Sequence, residues 1–266
     1  EASLRALDRR VPAPHRTQDR TAPVDPTPMA AFHNVPDTDP AVPANLAWGA
    51  ELLGRVPGSA LGADRVARSH VTTAEALETL VATTSAAGAG WAGLGGKGRA
   101  QVLRRAAVAL ERRRADLIEV MAAECGKTLD QADPEVSEAI DFANYYAHLA
   151  EQLDEVDGAV AEPVALTVVT PPWNFPIAIP AGSTLAALAS GSAVVLKPAP
   201  QAERCGAVLA EALWEAGVPA DVLAFATIDE GGLGRSLLAD PRVGRVILTG
   251  AFETAELFRT FRRDLP

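Results

Sequence analysis

Asn174 lies in the run TPPWNFPIAIPAG, with Pro172 two residues before it and Pro176 two residues after. Each proline fixes its own φ, and Pro176 biases Phe175 toward an extended backbone, so Asn174 sits on a turn with few alternatives. A carboxamide on such a turn is a neutral hydrogen-bond donor for charge developing on a carbonyl oxygen, an effect of about 3 to 4 kcal/mol when the donor is well aimed. In an arbitrary sequence the same run reads as a packed turn and nothing more. Other residues with chemical potential follow: Lys197 in SAVVLKP, Gly231 and Gly234 in GGLG, and Thr249 with Gly250 ahead of FETAELF. One cation, several glycines and an amide donor suit a phosphate-and-sugar ligand held on helix N-termini. GGLG is only a loose relative of the G-x-G-x-x-G fingerprint, so these residues on their own point to a nucleotide binder.

The elements that must position them are legible from periodicity. Residues 1–45 hold eight of the chain's twenty prolines and read as a linker or extended arm. Residues 46–153 are mainly helical: a Thr73 cap opens the first clear helix, GRAQVLRRAAVALERRRADLIEVMAAECGKTL forms two helices broken near Arg114, and Asp133 followed by Pro134 marks another start. Leu103, Val108, Leu110, Leu117, Ile118 and Met121 face inward, and the arginines at 112–114 form a solvated helix face paired with nearby acids. Residues 154–165 have hairpin or edge-strand composition. From residue 166 to 266 strands and helices alternate: ALTVVT, SAVVLKP, DVLAFATI and VGRVILTG are strands, each followed by a helical run. Four β/α units imply an α/β fold with a doubly wound, mainly parallel Rossmann-like sheet behind a helical N-terminal region. In such sheets ligands bind beyond the carboxyl ends of the strands, where Thr170 to Phe175, Lys197, Asp229 to Gly234 and Thr249 to Ala251 fall.

Composition narrows the partners. Among 266 residues, 34 acids against 24 Lys and Arg give a net charge of −10, which opposes nucleic acid and anionic membranes. The apolar run from Ile177 to Ala189 is interrupted by Pro, Gly and Ser and falls short of a bilayer span. Two cysteines are too few for a disulfide framework and fit a reducing cytoplasm. His15, His33, His70 and His148 lack ligand spacing, so no metal site is expected. ECGKTL holds Gly-Lys-Thr, but the glycine that a phosphate loop requires would fall at Met121, and the segment ends a helix instead of following a strand.

The order PPWNFPIAIP, VVLKPAPQ, VGRVILTGAFETAELF resembles the aldehyde dehydrogenase superfamily over residues 46–266, and ECGKTL is similar to that family's helix-end Glu-Thr-Gly-Lys segment with Cys125 in place of Thr. The resemblance implies that Asn174 is the oxyanion asparagine, that Thr170, Pro172 and Trp173 wall the cofactor, and that Lys197 bonds the adenine ribose hydroxyls. It also implies that Gly231 and Gly234 let a helix N-terminus approach the pyrophosphate, and that Thr249 and Gly250 lie under the nicotinamide. The implied cofactor is NAD, with NADP left open, because the glutamate common three residues after the lysine is Pro200 here. The serine usual after Thr-Gly is Ala251, which removes a hydroxyl contact.

The family's mechanism uses a cysteine thiolate and a glutamate-activated water. Cys125 at a helix end and Cys205 within an amphipathic helix offer no activated thiolate, so both groups are expected downstream of Pro266. FHNVPDTDPAVPANLAWGAELL and LTGAFETAELFRTFRRDLP are similar to the glutamate-semialdehyde (pyrroline-5-carboxylate) dehydrogenase half of bifunctional proline-catabolism enzymes. That branch implies a small aldehyde substrate, a homo-oligomer when full length, and an upstream proline dehydrogenase domain with residues 1–28 in the connection. The alternatives are a non-catalytic dinucleotide-binding or assembly module, and a superfamily member with another substrate.

Overall fold

The computed structural model describes residues 18–262; His15 and most of the segment expected to be an inter-domain connection lie outside them. Helices begin before Thr73: α1 spans Pro43–Arg55, with proline at its start, and α2 spans Ala63–Arg68. A two-residue strand β1 (His70–Val71) leads into α3 (Ala74–Ala92), whose cap is Thr73, its Oγ1 accepting from the Ala76 amide at 3.1 Å. The arginine-rich run forms α4 (Gly95–Arg112) and α5 (Arg114–Cys125), broken at Arg113. α6 (Leu129–Leu153) completes the helical region.

Three expectations about this region are corrected. First, α6 starts after Thr128, so Asp133 and Pro134 lie inside it. The Asp133 carboxylate does not cap; it accepts from Arg114 Nη1 at 2.7 Å and from the Thr38 amide at 2.6 Å. Second, Arg113 and Arg114 pair with acids as expected, but the arginines at 112–114 are not one solvated face. Arg112 is exposed, whereas the Arg114 side chain is 3% exposed, bridging Glu111 and Asp133. Third, residues 154–165 form turns and extended coil without a strand.

The described part of the proline-rich segment lies against these helices. Arg20, whose side chain is 4% exposed, donates to Glu111 Oε1, Thr38 Oγ1 and the Pro36 carbonyl at 2.7 to 2.8 Å. Asp141 on α6 accepts from Asn34 Nδ2 and the Val35 amide. Buried charges persist where such partners satisfy them. Burial alone would raise the Asp133 pKa, but Arg114 and the Thr38 bonds outweigh it and hold the carboxyl below its ordinary value.

The remaining chain alternates strand and helix: β2 (Leu166–Thr170), α7 (Ala178–Ala189), β3 (Ala193–Leu196), α8 (Glu203–Glu215), β4 (Leu223–Phe225), β5 (Thr227–Ile228), α9 (Gly232–Ala239), β6 (Arg245–Leu248) and α10 (Phe252–Phe261). The sheet order is β4-β3-β2-β6, all parallel, with Val168 opposite Val195 on one side and Val246 on the other. DVLAFATI is split, its second part β5 pairing in parallel with β1. β2 and β3 are buried throughout, as expected of central parallel strands covered on both faces. Alternation sets the two layers: Val169, Val194 and Leu196 pack with α4 to α8, while Leu166, Val168 and Val195 pack with Leu77, Val81, Leu237 and Leu238 of α3 and α9. The fold is α/β, helical N-terminal region plus parallel sheet, and among the described residues no helix is long and apolar enough to cross a membrane.

Candidate active site

β3 and β4 lie on one side of β2, and β6 lies on the other, so the strand order reverses between β2 and β6. Crevices at such switch points open beyond the strand C-termini, where connections diverge. A cavity of about 640 Å³ lies there. Ladder bonds run one residue past the strands: the Lys197 amide donates to the Val169 carbonyl at 3.0 Å and the Thr249 amide to the Thr170 carbonyl at 3.3 Å. Thr170, Lys197 and Thr249 are thereby fixed at the tips of three neighbouring strands.

The turn from Pro171 to Ile177 forms one wall. Pro171 and Pro176 are buried, while Trp173, Asn174 and Phe175 are exposed toward the crevice. The turn is anchored from α6: Glu135, buried, accepts from the Ile177 and Ala178 amides, each at 3.1 Å, at the start of α7. A carboxylate there satisfies amides that the helix leaves unpaired and matches the positive end of its dipole. Lys127 pairs with the other Glu135 oxygen, and its ammonium stands 4.4 Å from the centre of the Phe175 ring. Asn174 therefore rides on a backbone fixed at both ends, its carboxamide facing the cavity.

Lys197 points into the same cavity from the tip of β3, its side chain 10% exposed and 3.9 Å from the exposed Glu230 carboxylate. Burial lowers its pKa, and Glu230, Glu203 and Asp229 partly offset that. An ammonium so desolvated gains more from a polar ligand than a surface lysine does. Thr249, Gly250 and Ala251 line the opposite wall at the tip of β6.

Of the residues singled out from the sequence, Thr170, Pro172, Trp173, Asn174, Lys197, Thr249 and Gly250 line this cavity. Gly231 and Gly234 do not; they open α9 beside Glu230, which does. Gly234 has a packing reason for its type, since a Cβ there would lie 2.6 Å from the Asp229 carbonyl oxygen. Neither Cys125 nor Cys205 lines the cavity. Residues not singled out are Glu230, Glu135, Lys127 and Gln201. Glu230 stood within the strand-tip set; Glu135 and Lys127 act through partners distant in sequence, which no local pattern marks.

The sequence profile described as the Aldehyde dehydrogenase family matches residues 60–260. The chain belongs to the aldehyde dehydrogenase family. Among curated relatives, the bifunctional protein PutA of Salmonella typhimurium is 41% identical over 161 residues, covering 60% of this chain and 12% of that protein. Among solved structures, proline utilization A (PutA) from Corynebacterium freiburgense is 40% identical with a TM-score of 0.77, covering 87% of this chain and 23% of that one. A 1-pyrroline-5-carboxylate dehydrogenase from Thermus with bound NAD is 25% identical with a TM-score of 0.77, covering 88% of this chain and 52% of that one. This aldehyde dehydrogenase chain thus spans about an eighth of the curated relative it matches and half of the Thermus enzyme. The Corynebacterium neighbour is a proline utilization protein, and the Thermus neighbour holds NAD.

Proposed function

We propose that the chain is the cofactor-binding part of an NAD-dependent aldehyde dehydrogenase that oxidises L-glutamate γ-semialdehyde to glutamate, with Asn174 as its oxyanion donor. The observation that carries this reading is the convergence of Asn174, Lys197 and Thr249 on one crevice at the strand-order switch. The residues fit a dinucleotide: a desolvated ammonium at one end, a small-residue strand tip at the other, and aromatic surface between. When bound, a nicotinamide dinucleotide supplies the hydride acceptor.

The chain's own residues divide the remaining work. Lys197 donates to ribose hydroxyls at the adenine end. Gly231 and Gly234 let the start of α9 approach the pyrophosphate, and Thr170, Pro172 and Trp173 form the wall. Thr249 and Gly250 support the nicotinamide end. The Asn174 side-chain amide donates to the aldehyde oxygen as negative charge builds there. Around Lys197 stand three carboxylates, Glu230, Glu203 and Asp229. A ribose 2′-phosphate would add charge beside them, which favours NAD over NADP.

Because neither cysteine of the chain lines the crevice, the attacking thiolate must come from elsewhere than Cys125 or Cys205. That observation favours a second reading for these residues taken alone, a dinucleotide-binding module without turnover. The relatives' bifunctional name supports a second activity in the parent protein, which we read as an upstream proline dehydrogenase domain; a cytoplasmic homo-oligomer belongs to the same proposal. The test is NAD titration of the whole protein with Lys197→Ala. The expected result is binding weakened about tenfold, 1.4 kcal/mol, with kcat at saturating NAD unchanged. Equal dissociation constants would remove Lys197 from the cofactor site.

A further inference from the structure

Cys125 ends α5, and Cys205 lies in the first turn of α8, 80 residues away, yet their Sγ atoms stand 3.9 Å apart. Glu124 holds the two helix ends together independently of the thiols, its carboxylate accepting from the Arg204 amide at 2.8 Å and the Cys205 amide at 2.7 Å. Gly126, at φ +69°, closes α5 in the left-handed conformation that glycine adopts without strain. The two thiols differ in surroundings. Cys125 is half-buried and donates to the Gln201 carbonyl at 3.5 Å, whereas Cys205 is fully buried. The bond from Cys205 lowers the Cys125 pKa against the effect of burial, while burial, then Cys125, raises that of Cys205 well above the ordinary value.

We propose that Cys125 and Cys205 are a modification site, a dithiol that hydroperoxides oxidise to a disulfide, with Cys125 the attacking sulfur and Cys205 the resolving one. The Cys125 thiolate attacks a peroxide oxygen; the S–O bond forms, the O–O bond breaks, and the departing hydroxide takes the thiol proton as water. Cys205 sulfur then attacks Cys125 sulfur, the S–S bond forms, the S–O bond breaks, and a second water leaves with the Cys205 proton. Two thiols and one hydrogen peroxide give one disulfide and two waters, with two electrons passing from sulfur to oxygen. The sulfurs must close from 3.9 Å to about 2.05 Å, and with the helix ends already tied by Glu124 that approach falls to the side chains. Gln201, whose carbonyl accepts from Cys125, also lines the strand-tip crevice, so oxidation removes a bond at that wall.

The experiment is peptide mapping of the whole protein after treatment with hydrogen peroxide, alkylation and trypsin. The expected result is loss of both thiols from alkylation together, a cross-linked pair of the peptides spanning 115–127 and 205–235, and recovery on reduction. In Cys205→Ser, Cys125 should be trapped by dimedone as the sulfenic acid; in Cys125→Ser, Cys205 should remain a free thiol. Sulfinate on Cys125 beside a free Cys205 in the unaltered protein would overturn the proposal. So would two thiols that resist peroxide, including thiols shielded by a retained zinc ion. None of these outcomes depends on aldehyde turnover or NAD binding.

Discussion

On one side of the crevice every residue of β2 and β3 is buried, and the turn carrying Asn174 is clamped by Glu135. On the other, β6 is only half-buried and α10 has no buried residue, with Phe252 73% and Leu257 52% exposed. The second wall is held by the ladder from β6 to β2, by Phe258 and Phe261 packing against the cluster of Val168, Leu237 and Val243, and by Arg262 donating to the Val243 carbonyl at 2.7 Å. Cover on both faces makes a strand tip rigid, and rigidity is what an aimed donor requires. The groups with the most demanding geometry in the proposed reaction, Asn174 and Lys197, stand on the covered wall. Thr249 and Gly250, which need only offer surface, stand on the other.

Breaking the clamp should give the largest effect. Glu135→Ala leaves Lys127 without its partner and two amides unsatisfied, and should cost about 3 to 5 kcal/mol in denaturant unfolding. A loss under about 1 kcal/mol would show that the turn is held by its prolines alone. The walls are compared directly by Leu196→Ala, expected to cost about 2 to 5 kcal/mol, and Ile247→Ala, expected to cost about 1 kcal/mol. Equal losses would erase the distinction.

Acid sharpens the same contrast, because Asp133 sits on the helix that carries Glu135. Its folded-state pKa lies below the ordinary carboxyl value of 3.8, so its contribution is present above that pH and is lost as pH falls through the lower, folded value. Asp133→Asn should therefore flatten the stability profile below about pH 3.8 and leave its shape near neutrality unchanged. An unaltered acid limb would remove Asp133 as its source. The smallest expected effect is on cofactor choice: Glu230→Gln should shift the NADP-to-NAD ratio of kcat/KM up by about tenfold or less, one neutralised charge at partly exposed distance. No shift would detach Glu230 from the ribose.

The sheet was legible because β2, β3 and β6 are short runs rich in β-branched residues that lead into marked residues: Thr170 before two prolines, Lys197 before another, Thr249 before glycine. The crevice followed, since strand tips and topology locate it without any side-chain contact. The supports beneath it were not legible. Arg20 meets Glu111 across 91 residues, Thr38 meets Asp133 across 95, and Glu135 meets Ile177 across 42. Such pairings leave no period in the chain. Asp133 and Pro134 carry a helix-start signature, yet Arg114 and Thr38 claim the carboxylate and the helix begins earlier. The glutamate that the resemblance places three residues after the lysine is Pro200 here, and a different acid, Glu230, brought in by the fold, stands beside Lys197.

The central claim is that the Asn174 amide meets charge on the aldehyde oxygen. Its most direct measurement is kcat for glutamate γ-semialdehyde, together with the NAD dissociation constant, in the whole enzyme carrying Asn174→Ala. The expected result is a fall in kcat of about 10²- to 10³-fold, roughly 3 to 4 kcal/mol, with NAD affinity retained. A folded variant that binds NAD and turns over within about twofold of the unaltered enzyme would contradict it.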